Sequence, residues 1–118
     1  MDLDGLKAVN DTYGHQAGDR VIVKTKEILV RVCRQSDTLI RWGGDEFLLV
    51  GRQTDRDTAA GLADRLRHAI ESHRFDLDNG EGVRLSCSIG FSFFPFMQHS
   101  PTLFSWEQVL DLADRALY

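Results

Sequence analysis

Cysteine, proline and long apolar runs are scarce in this chain of 118 residues, which contains two cysteines and two prolines. No apolar run approaches the roughly 18 residues that a transmembrane helix needs, and no signal peptide is visible. Cys33 and Cys87 lack the spacing of metal ligands and fall in a helical and a strand-like pattern, respectively. We therefore expect two reduced thiols in the core of a cytoplasmic domain, whose parent protein could still be anchored in a membrane.

An excess of positive charge is also absent. The chain has 14 basic and 18 acidic residues, which gives a net charge of −4 with neutral histidines. This balance argues against nucleic acid as a partner and against direct contact of the domain with an anionic membrane. A bound polyanion would need help from metal ions or from a few well-placed cations.

The order of the elements predicts an α/β (α+β) sandwich, in which helices flank a mostly antiparallel central sheet. Ser105 and Gln108 form a capping-box pattern before the last helix. Neither end shows a boundary signal, so we expect the first strand and the C-terminal end to be trimmed. The predicted elements are a short helix at about 5–10, a helix at 17–34, hairpin strands at 38–42 and 46–51, a helix capped by Asp57 that runs to about residue 73, a strand at about 83–94 and a helix at 106–118.

The segment Gly43-Gly44-Asp45-Glu46 stands between two apolar, strand-like runs. Adjacent glycines between strands predict a two-residue hairpin turn, because both central positions of the favoured turn need a positive φ. The two acids that follow lie at the hairpin tip, where a core has no need of charge. Beside glycines that admit a ligand close to the backbone, they are typical of a site for a metal ion and a phosphate. The alternative is a glycine turn followed by two solvated acids.

Asp2 and Asp4 share one face of an extended segment, with Leu3 on the opposite face toward the core. Together with the acids of the hairpin tip they would form a carboxylate cluster suited to a hard cation. Carboxylates without histidine or cysteine favour Mg²⁺ or Mn²⁺ over zinc. The alternative for these two acids is a solvated chain terminus.

Residues 7–19 carry more polar groups than a structural turn requires. Asn10 and Asp19 could read the edge of a purine, since an aspartate can accept from the N1–H and N2–H₂ groups of guanine. Alternatively, Asn10 and Asp11 close a helix, and Asp19 lies in the first turn of the next helix, where the dipole favours an acid. His15 would either contact a ligand or pin the loop through a hydrogen bond.

Several short motifs occur in one register along the chain, and with them it resembles the GGDEF-domain diguanylate cyclases over nearly its whole length. The motifs are Asp2-Leu3-Asp4-Gly5-Leu6-Lys7, Asn10-Asp11, Gly14-His15, Gly18-Asp19, Arg41-Trp42-Gly43-Gly44-Asp45-Glu46-Phe47 and Ala113-Asp114-Arg115-Ala116-Leu117-Tyr118. Residues 1–118 are thus identified as one such domain, which we expect to be a fragment of a larger signalling protein. The resemblance implies a fold like the palm of nucleotide cyclases and polymerases. It also implies an enzyme that condenses two GTP molecules into cyclic di-GMP with release of pyrophosphate.

The resemblance assigns metal binding and catalysis to a few residues. Asp2 and Asp45 would ligate Mg²⁺ or Mn²⁺, and the carbonyl of Leu3 would assist them. Glu46, or alternatively Asp45, would help to remove the proton from the attacking 3′-hydroxyl. Lys7 would stabilise charge in the transition state.

The resemblance also assigns substrate and effector contacts. Asn10 and Asp19 would bind guanine, and His15 would lie against the nucleotide. Gly43 and Gly44 would let the chain turn tightly beneath the triphosphate. A second, inhibitory site for cyclic di-GMP would comprise Arg34, Asp37 and Arg65.

Because each 3′-hydroxyl must attack the other GTP, the resemblance implies a homodimer controlled by an upstream sensory domain. The chain departs from the family at Gly5, where an aromatic residue is usual, and it stops at Tyr118, before a basic stretch that contacts the triphosphate. We therefore expect the isolated fragment to be weakly active. Two alternatives are a catalytically silent receptor for GTP or cyclic di-GMP and a dimerisation module.

Overall fold

The computed structural model describes residues 1–77 and 80–117. Within them, no helix combines the length and apolar character that crossing a bilayer requires. The elements in chain order are β1 (Asp2–Asp4), α1 (Leu6–Tyr13), α2 (His15–Val32), β2 (Thr38–Gly43), β3 (Glu46–Val50), α3 (Arg56–Glu71), β4 (Phe75–Asp76), β5 (Gly82–Val83), β6 (Ser86–Ser88) and α4 (Trp106–Arg115).

The main sheet has four strands in the order β2-β3-β1-β6, and every neighbouring pair is antiparallel. β1 therefore lies inside the sheet, with Asp2 opposite Glu46 of β3 on one side and Ser88 of β6 on the other. The predicted antiparallel sheet with flanking helices is confirmed. β4 and β5 form a separate two-stranded sheet.

The core lies between one face of the main sheet and the helices. Leu3 is 1% exposed, as its predicted inward direction requires, and it joins one cluster with residues of the neighbouring strands and of α1, α2 and α3. Burial of apolar side chains is the main source of stability in such a cluster. Its strand and helix members include Phe47, Cys87, Val9, Val21, Leu29, Leu66 and Ile70.

The two cysteines differ in burial, and both are free thiols. Cys87 is buried, and burial raises the pKa of its thiol to about 11, so the thiol is protonated at neutral pH. Cys33 is half-buried at the end of α2, where burial also raises its pKa.

Several predicted element boundaries were wrong; α2, for example, extends from His15 to Val32 rather than over 17–34. Asp55, not Asp57, caps α3, because its carboxylate accepts a hydrogen bond of 2.8 Å from the amide of Thr58. α1 continues to Tyr13 and ends at Gly14 rather than near residue 10. The predicted strand at 83–94 is divided into β5 and β6, and in the described part of the chain no strand pairs with residues 89–94. Alternation of apolar residues indicates an extended backbone but does not supply a neighbouring strand.

The last helix confirms the capping box: the Ser105 hydroxyl accepts from the Gln108 amide, and the Gln108 side chain accepts from the Ser105 amide. This helix ends at Arg115, and Tyr118, which the prediction included, lies outside the described residues. The polar connection predicted at 76–82 includes residues 78 and 79, which also lie outside them. β4, at its start, was not predicted because two residues are too short for a period-2 pattern.

Candidate active site

The β2–β3 turn differs in register from the prediction. Gly43 is still paired with Glu46, so the central residues of the turn are Gly44 and Asp45. Neither glycine has a positive φ, in contrast to the predicted mirror-image turn. A register shift between Arg41 and Gly43 accompanies the turn. The Arg41 guanidinium closes it by donating two hydrogen bonds, of 3.2 and 2.9 Å, to the carbonyl of Gly44.

Backbone contacts with β1 bring the predicted metal ligands together. The amide of Leu3 donates to the carbonyl of Asp45 at 3.2 Å, and the amide of Phe47 donates to the carbonyl of Met1 at 2.9 Å. Asp2 is the direct cross-strand partner of Glu46. The turn is therefore fixed against β1 by main-chain bonds, and Asp45 and Glu46 lie near enough to Asp2 for their charges to raise its pKa.

Negative charge dominates the surroundings of Asp2. The pKa of Asp2 lies above its usual range, first because of burial and then because of the charges of Asp45, Glu46 and Asp4. A raised pKa means that the folded protein disfavours the ionised form of Asp2. A bound cation would reverse that preference.

The donor set fits Mg²⁺ or Mn²⁺. In the described ranges, no group of three or more histidine, cysteine, aspartate or glutamate side chains is arranged to hold a metal ion. Mg²⁺ usually takes only one or two protein carboxylates and completes its octahedron with water and substrate phosphates. Asp2 and Asp45, with the carbonyl of Leu3, offer hard oxygen donors of that number.

Asp4 was predicted to belong to the carboxylate cluster, without a role of its own. In the structure it is hydrogen-bonded to β6. Its carboxylate accepts hydrogen bonds from the hydroxyl of Ser86 at 2.7 Å and from that of Ser88 at 3.1 Å. The period-2 spacing of the two serines in a strand-like run was the signal that could have indicated this contact.

The connections around α1 position the residues predicted to bind the nucleotide. Gly5 precedes α1 with a φ of 86°, and Gly14 joins α1 directly to α2 with a φ of 84° and a ψ of 163°, a region open essentially to glycine alone. Lys7 is exposed in the first turn of α1, and His15 is exposed at the first position of α2.

The packing of α1 on α2 places Asn10 against Gly18, the residue before Asp19. The side chain of Asn10 lies on Gly18, where an added Cβ would overlap the Asn10 side-chain oxygen. A larger residue at position 18 would therefore displace the Asn10 side chain from its observed position. Asp19 itself is exposed on α2.

The predicted inhibitory residues lie at the other end of α2. Arg34 and Asp37 form a closed turn, in which the Arg34 amide donates to the Asp37 carboxylate at 2.8 Å and the Asp37 amide donates to the Arg34 carbonyl at 3.0 Å. The Arg34 side chain is exposed, and its charge contributes to lowering the pKa of Asp55 after the hydrogen bonds from Thr58. Arg65 is exposed on α3, which packs against α2.

Two cavities lie away from the predicted catalytic and guanine-binding side chains. One of about 400 Å³ is lined by residues 91–93, Phe96, Arg56 and Leu112. The other, of about 260 Å³, lies between α2 and the β2–β3 hairpin and is lined in part by Lys26 and Arg41.

An antiparallel sheet with flanking helices is also the fold of solved GGDEF domains, and the sequence matches the same family. The family model described as "Diguanylate cyclase, GGDEF domain" matches residues 1–118. The chain belongs to the GGDEF domain family. It is 35% identical over 118 residues to diguanylate cyclase DosC of Escherichia coli (strain K12) and 36% identical over 118 residues to diguanylate cyclase A of Treponema denticola. These matches include the whole of this chain but only 24% and 30% of those proteins.

Solved structures of the family have the same fold. The GGDEF domain of DgcB from Caulobacter crescentus, in complex with c-di-GMP, superposes with a TM-score of 0.86 at 29% identity, covering 99% of this chain and 66% of that one. Diguanylate cyclase SiaD from Pseudomonas aeruginosa, in complex with its activator SiaC, superposes with a TM-score of 0.84 at 31% identity, covering 98% of this chain and 42% of that one.

Proposed function

We propose that this chain is the catalytic domain of a diguanylate cyclase, which condenses two molecules of GTP into cyclic di-GMP and releases pyrophosphate. The observation that carries the proposal is the convergence of Asp2, Asp45 and Glu46 where β1 meets the β2–β3 turn. The relatives that are named diguanylate cyclases and the related domain with bound c-di-GMP support it.

The proposed ligands of the metal are the carboxylates of Asp2 and Asp45 and the carbonyl of Leu3. When bound, Mg²⁺ or Mn²⁺ would neutralise charge on the α-phosphate and on the leaving pyrophosphate. The main-chain bond from Leu3 to Asp45 supports this assignment, because it fixes the distance between the two ligand-bearing segments before any substrate arrives.

The remaining site residues have roles in binding and proton transfer under this proposal. Glu46 would take the proton of the 3′-hydroxyl, with Asp45 as the alternative base, and Lys7 would stabilise the charge that develops on the phosphates. Asn10 and Asp19 would read guanine, with His15 against the nucleotide. Gly43 and Gly44, which carry no side chain beyond the backbone, would leave room for the triphosphate.

The proposed active species is a homodimer. Each protomer would bind one GTP, and each 3′-hydroxyl would attack the α-phosphate held by the other protomer, so the two sites would face each other across a two-fold axis. We further propose that a sensory domain upstream in the parent protein controls this pairing, and that the domain itself acts in the cytoplasm. The small share of its relatives that the chain covers agrees with a multidomain parent.

Incubation of the protein with GTP and Mg²⁺, followed by chromatography, tests the proposal. We expect cyclic di-GMP and pyrophosphate to form in a ratio of one to two. A verified dimer that binds GTP but forms no product would contradict the proposed activity and would favour a silent nucleotide receptor.

We propose in addition that the product inhibits the enzyme at Arg34, Asp37 and Arg65. The closed turn supports this, because it leaves the Arg34 side chain exposed while the Asp37 carboxylate is fixed. A planar guanidinium beside a carboxylate suits the edge of a guanine base.

Feedback inhibition predicts that Arg34→Ala weakens the binding of cyclic di-GMP by at least tenfold, on the order of the 1.5–3 kcal/mol contributed by a hydrogen bond to a charged group. Titration calorimetry with cyclic di-GMP measures this change. Arg52→Ala, which removes another exposed arginine, is the control. Equal affinities of the Arg34→Ala variant and the wild type would remove the inhibitory site from the proposal.

A further inference from the structure

Four acids lie on β1 or beside the β2–β3 turn: Asp2, Asp4, Asp45 and Glu46. Of these, Asp4 has no proposed role in binding the metal, in binding the nucleotide or in proton transfer. It is the last residue of β1, its direct cross-strand partner is Ser86, and Ser88 is the partner of Asp2. Both serine hydroxyls nevertheless turn to Asp4: Ser86 donates to Oδ2 at 2.7 Å and Ser88 donates to Oδ1 at 3.1 Å. Each carboxylate oxygen of Asp4 thus receives one hydroxyl from β6.

We propose that Asp4 is a positioning residue, held by the hydroxyls of Ser86 and Ser88 so that Asp2 and the Leu3 carbonyl keep the geometry needed to bind a divalent cation. The inference rests on the proposed function. Asp2, Leu3 and Asp4 are consecutive, so a fixed Asp4 fixes the direction in which the two preceding residues present their oxygen atoms.

The backbone after Asp4 explains why such a fixation is needed. β1 is three residues long, and it is followed at once by Gly5 in the left-handed region and by α1, whose N-terminus has no side-chain cap. Glycine is the least restricted residue. The hydrogen bonds from the serines therefore add to the strand pairing at the point where the regular strand stops and glycine follows.

The same hydrogen bonds also keep Asp4 from acting as a metal ligand beside Asp2. Mg²⁺ uses few protein carboxylates, so a third one free to approach Asp2 would compete for the ion. Because both oxygens of Asp4 accept hydroxyls from β6, Asp4 is kept from turning toward Asp2, with which it shares one face of the strand. In metal sites, partners that orient the ligands are typically worth 10–100-fold in metal affinity.

Removing the two hydroxyls while keeping the charge of Asp4 tests this role. The experiment measures the Mn²⁺ concentration that half-saturates binding of 3′-deoxyGTP, an analogue that cannot react, by calorimetry. We expect Ser86→Ala/Ser88→Ala to raise that concentration about tenfold, at the low end of the range for orienting partners. Ser86→Thr/Ser88→Thr, which restores the hydroxyls, is expected to stay within twofold of the wild type.

Ser92→Ala is the matched control. It removes the hydroxyl of the serine four residues after Ser88, which donates to the carbonyl of Val109 at 2.6 Å rather than to Asp4. Its half-saturating Mn²⁺ concentration is expected to equal that of the wild type. Thermal unfolding of each variant verifies the fold, and Ser88→Ala alone replaces the double variant if the latter does not fold.

Asp2→Asn separates the two proposals. If Asp2→Asn abolishes the dependence on Mn²⁺ while the serine-to-alanine variant matches the wild type, the positioning role of Asp4 is wrong and the proposed metal site stands. If the wild type itself binds 3′-deoxyGTP without any dependence on Mn²⁺, the proposed function fails, and the role of Asp4 fails with it.

Discussion

Replacing Asp45 by alanine is expected to abolish the formation of cyclic di-GMP while the fold survives. A metal that polarises a phosphoryl oxygen contributes several kcal/mol to transition-state stabilisation. Loss of about 4 kcal/mol corresponds to a rate lower by about 10³-fold. The measurement is the initial rate of product formation at saturating GTP and Mg²⁺, compared with the wild type.

The fold is expected to survive because the contribution of Asp45 to it comes from the main chain. Its carbonyl accepts the Leu3 amide, and no hydrogen bond or ion pair of its side chain is found among the described residues. Removing the carboxylate also removes one of the charges that raise the pKa of Asp2. A carboxyl whose pKa is raised on folding costs stability at pH values above that pKa, so at pH 7 the variant is expected to be as stable as the wild type or slightly more stable.

Asp111→Ala is the matched control for Asp45→Ala. Asp111 is an exposed acid on α4 whose ion pair with Arg115, at 2.9 Å, is of the surface type that contributes little. Its turnover is expected to equal that of the wild type. Retained turnover in Asp45→Ala, with a normal thermal melt, would show that the metal is bound elsewhere.

The sequence was sufficient to predict most of the helices and strands, because they depend on local patterns, whereas the roles of the site residues stay predictions. The helix α2, the hairpin strands and the capping box at Ser105 all follow from periodicity and from the preferences of cap residues. The inward direction of Leu3 follows from the alternation of a strand.

The features that the sequence did not predict depend on contacts between distant segments. The turn centred on Gly44 and Asp45 is set by the register against β3 and by the bonds from Arg41, which a Gly-Gly pair alone does not specify. The link from Asp4 to Ser86 spans 82 residues. The division of the strand predicted at 83–94 reflects the absence of a pairing partner among the described residues.

Gly90→Ala is expected to cause the largest loss of stability among the substitutions considered. A Cβ at residue 90 would overlap the carbonyl oxygen of Ala113 and would lie 2.9 Å from the carbonyl carbon of Ala116 and from the amide nitrogen of Leu117. These are backbone atoms at the end of α4, which cannot move aside as a flexible side chain can. The α4 helix must therefore shift away from the segment that follows β6.

The expected loss is at least 2–3 kcal/mol, the upper part of the usual range of about 1–3 kcal/mol for overpacking, because the overlap is with backbone. For a domain of about 100 residues, each kcal/mol lowers the melting temperature by roughly 4–8 °C, so a decrease of about 10 °C or more is expected. Thermal unfolding followed by circular dichroism measures it.

Gly61→Ala is the control, and we expect it to raise the melting temperature in the same assay. Gly61 lies in α3, where an added Cβ meets nothing within 4 Å, so alanine should stabilise the helix by up to about 1 kcal/mol. If the melting temperature of Gly90→Ala were instead equal to that of the wild type, α4 would not pack on residue 90. Val109 lies on the same helix and is 5% exposed, so a shift of α4 is expected to expose it. Hydrogen exchange of the α4 amides should therefore accelerate in Gly90→Ala and remain unchanged in Gly61→Ala.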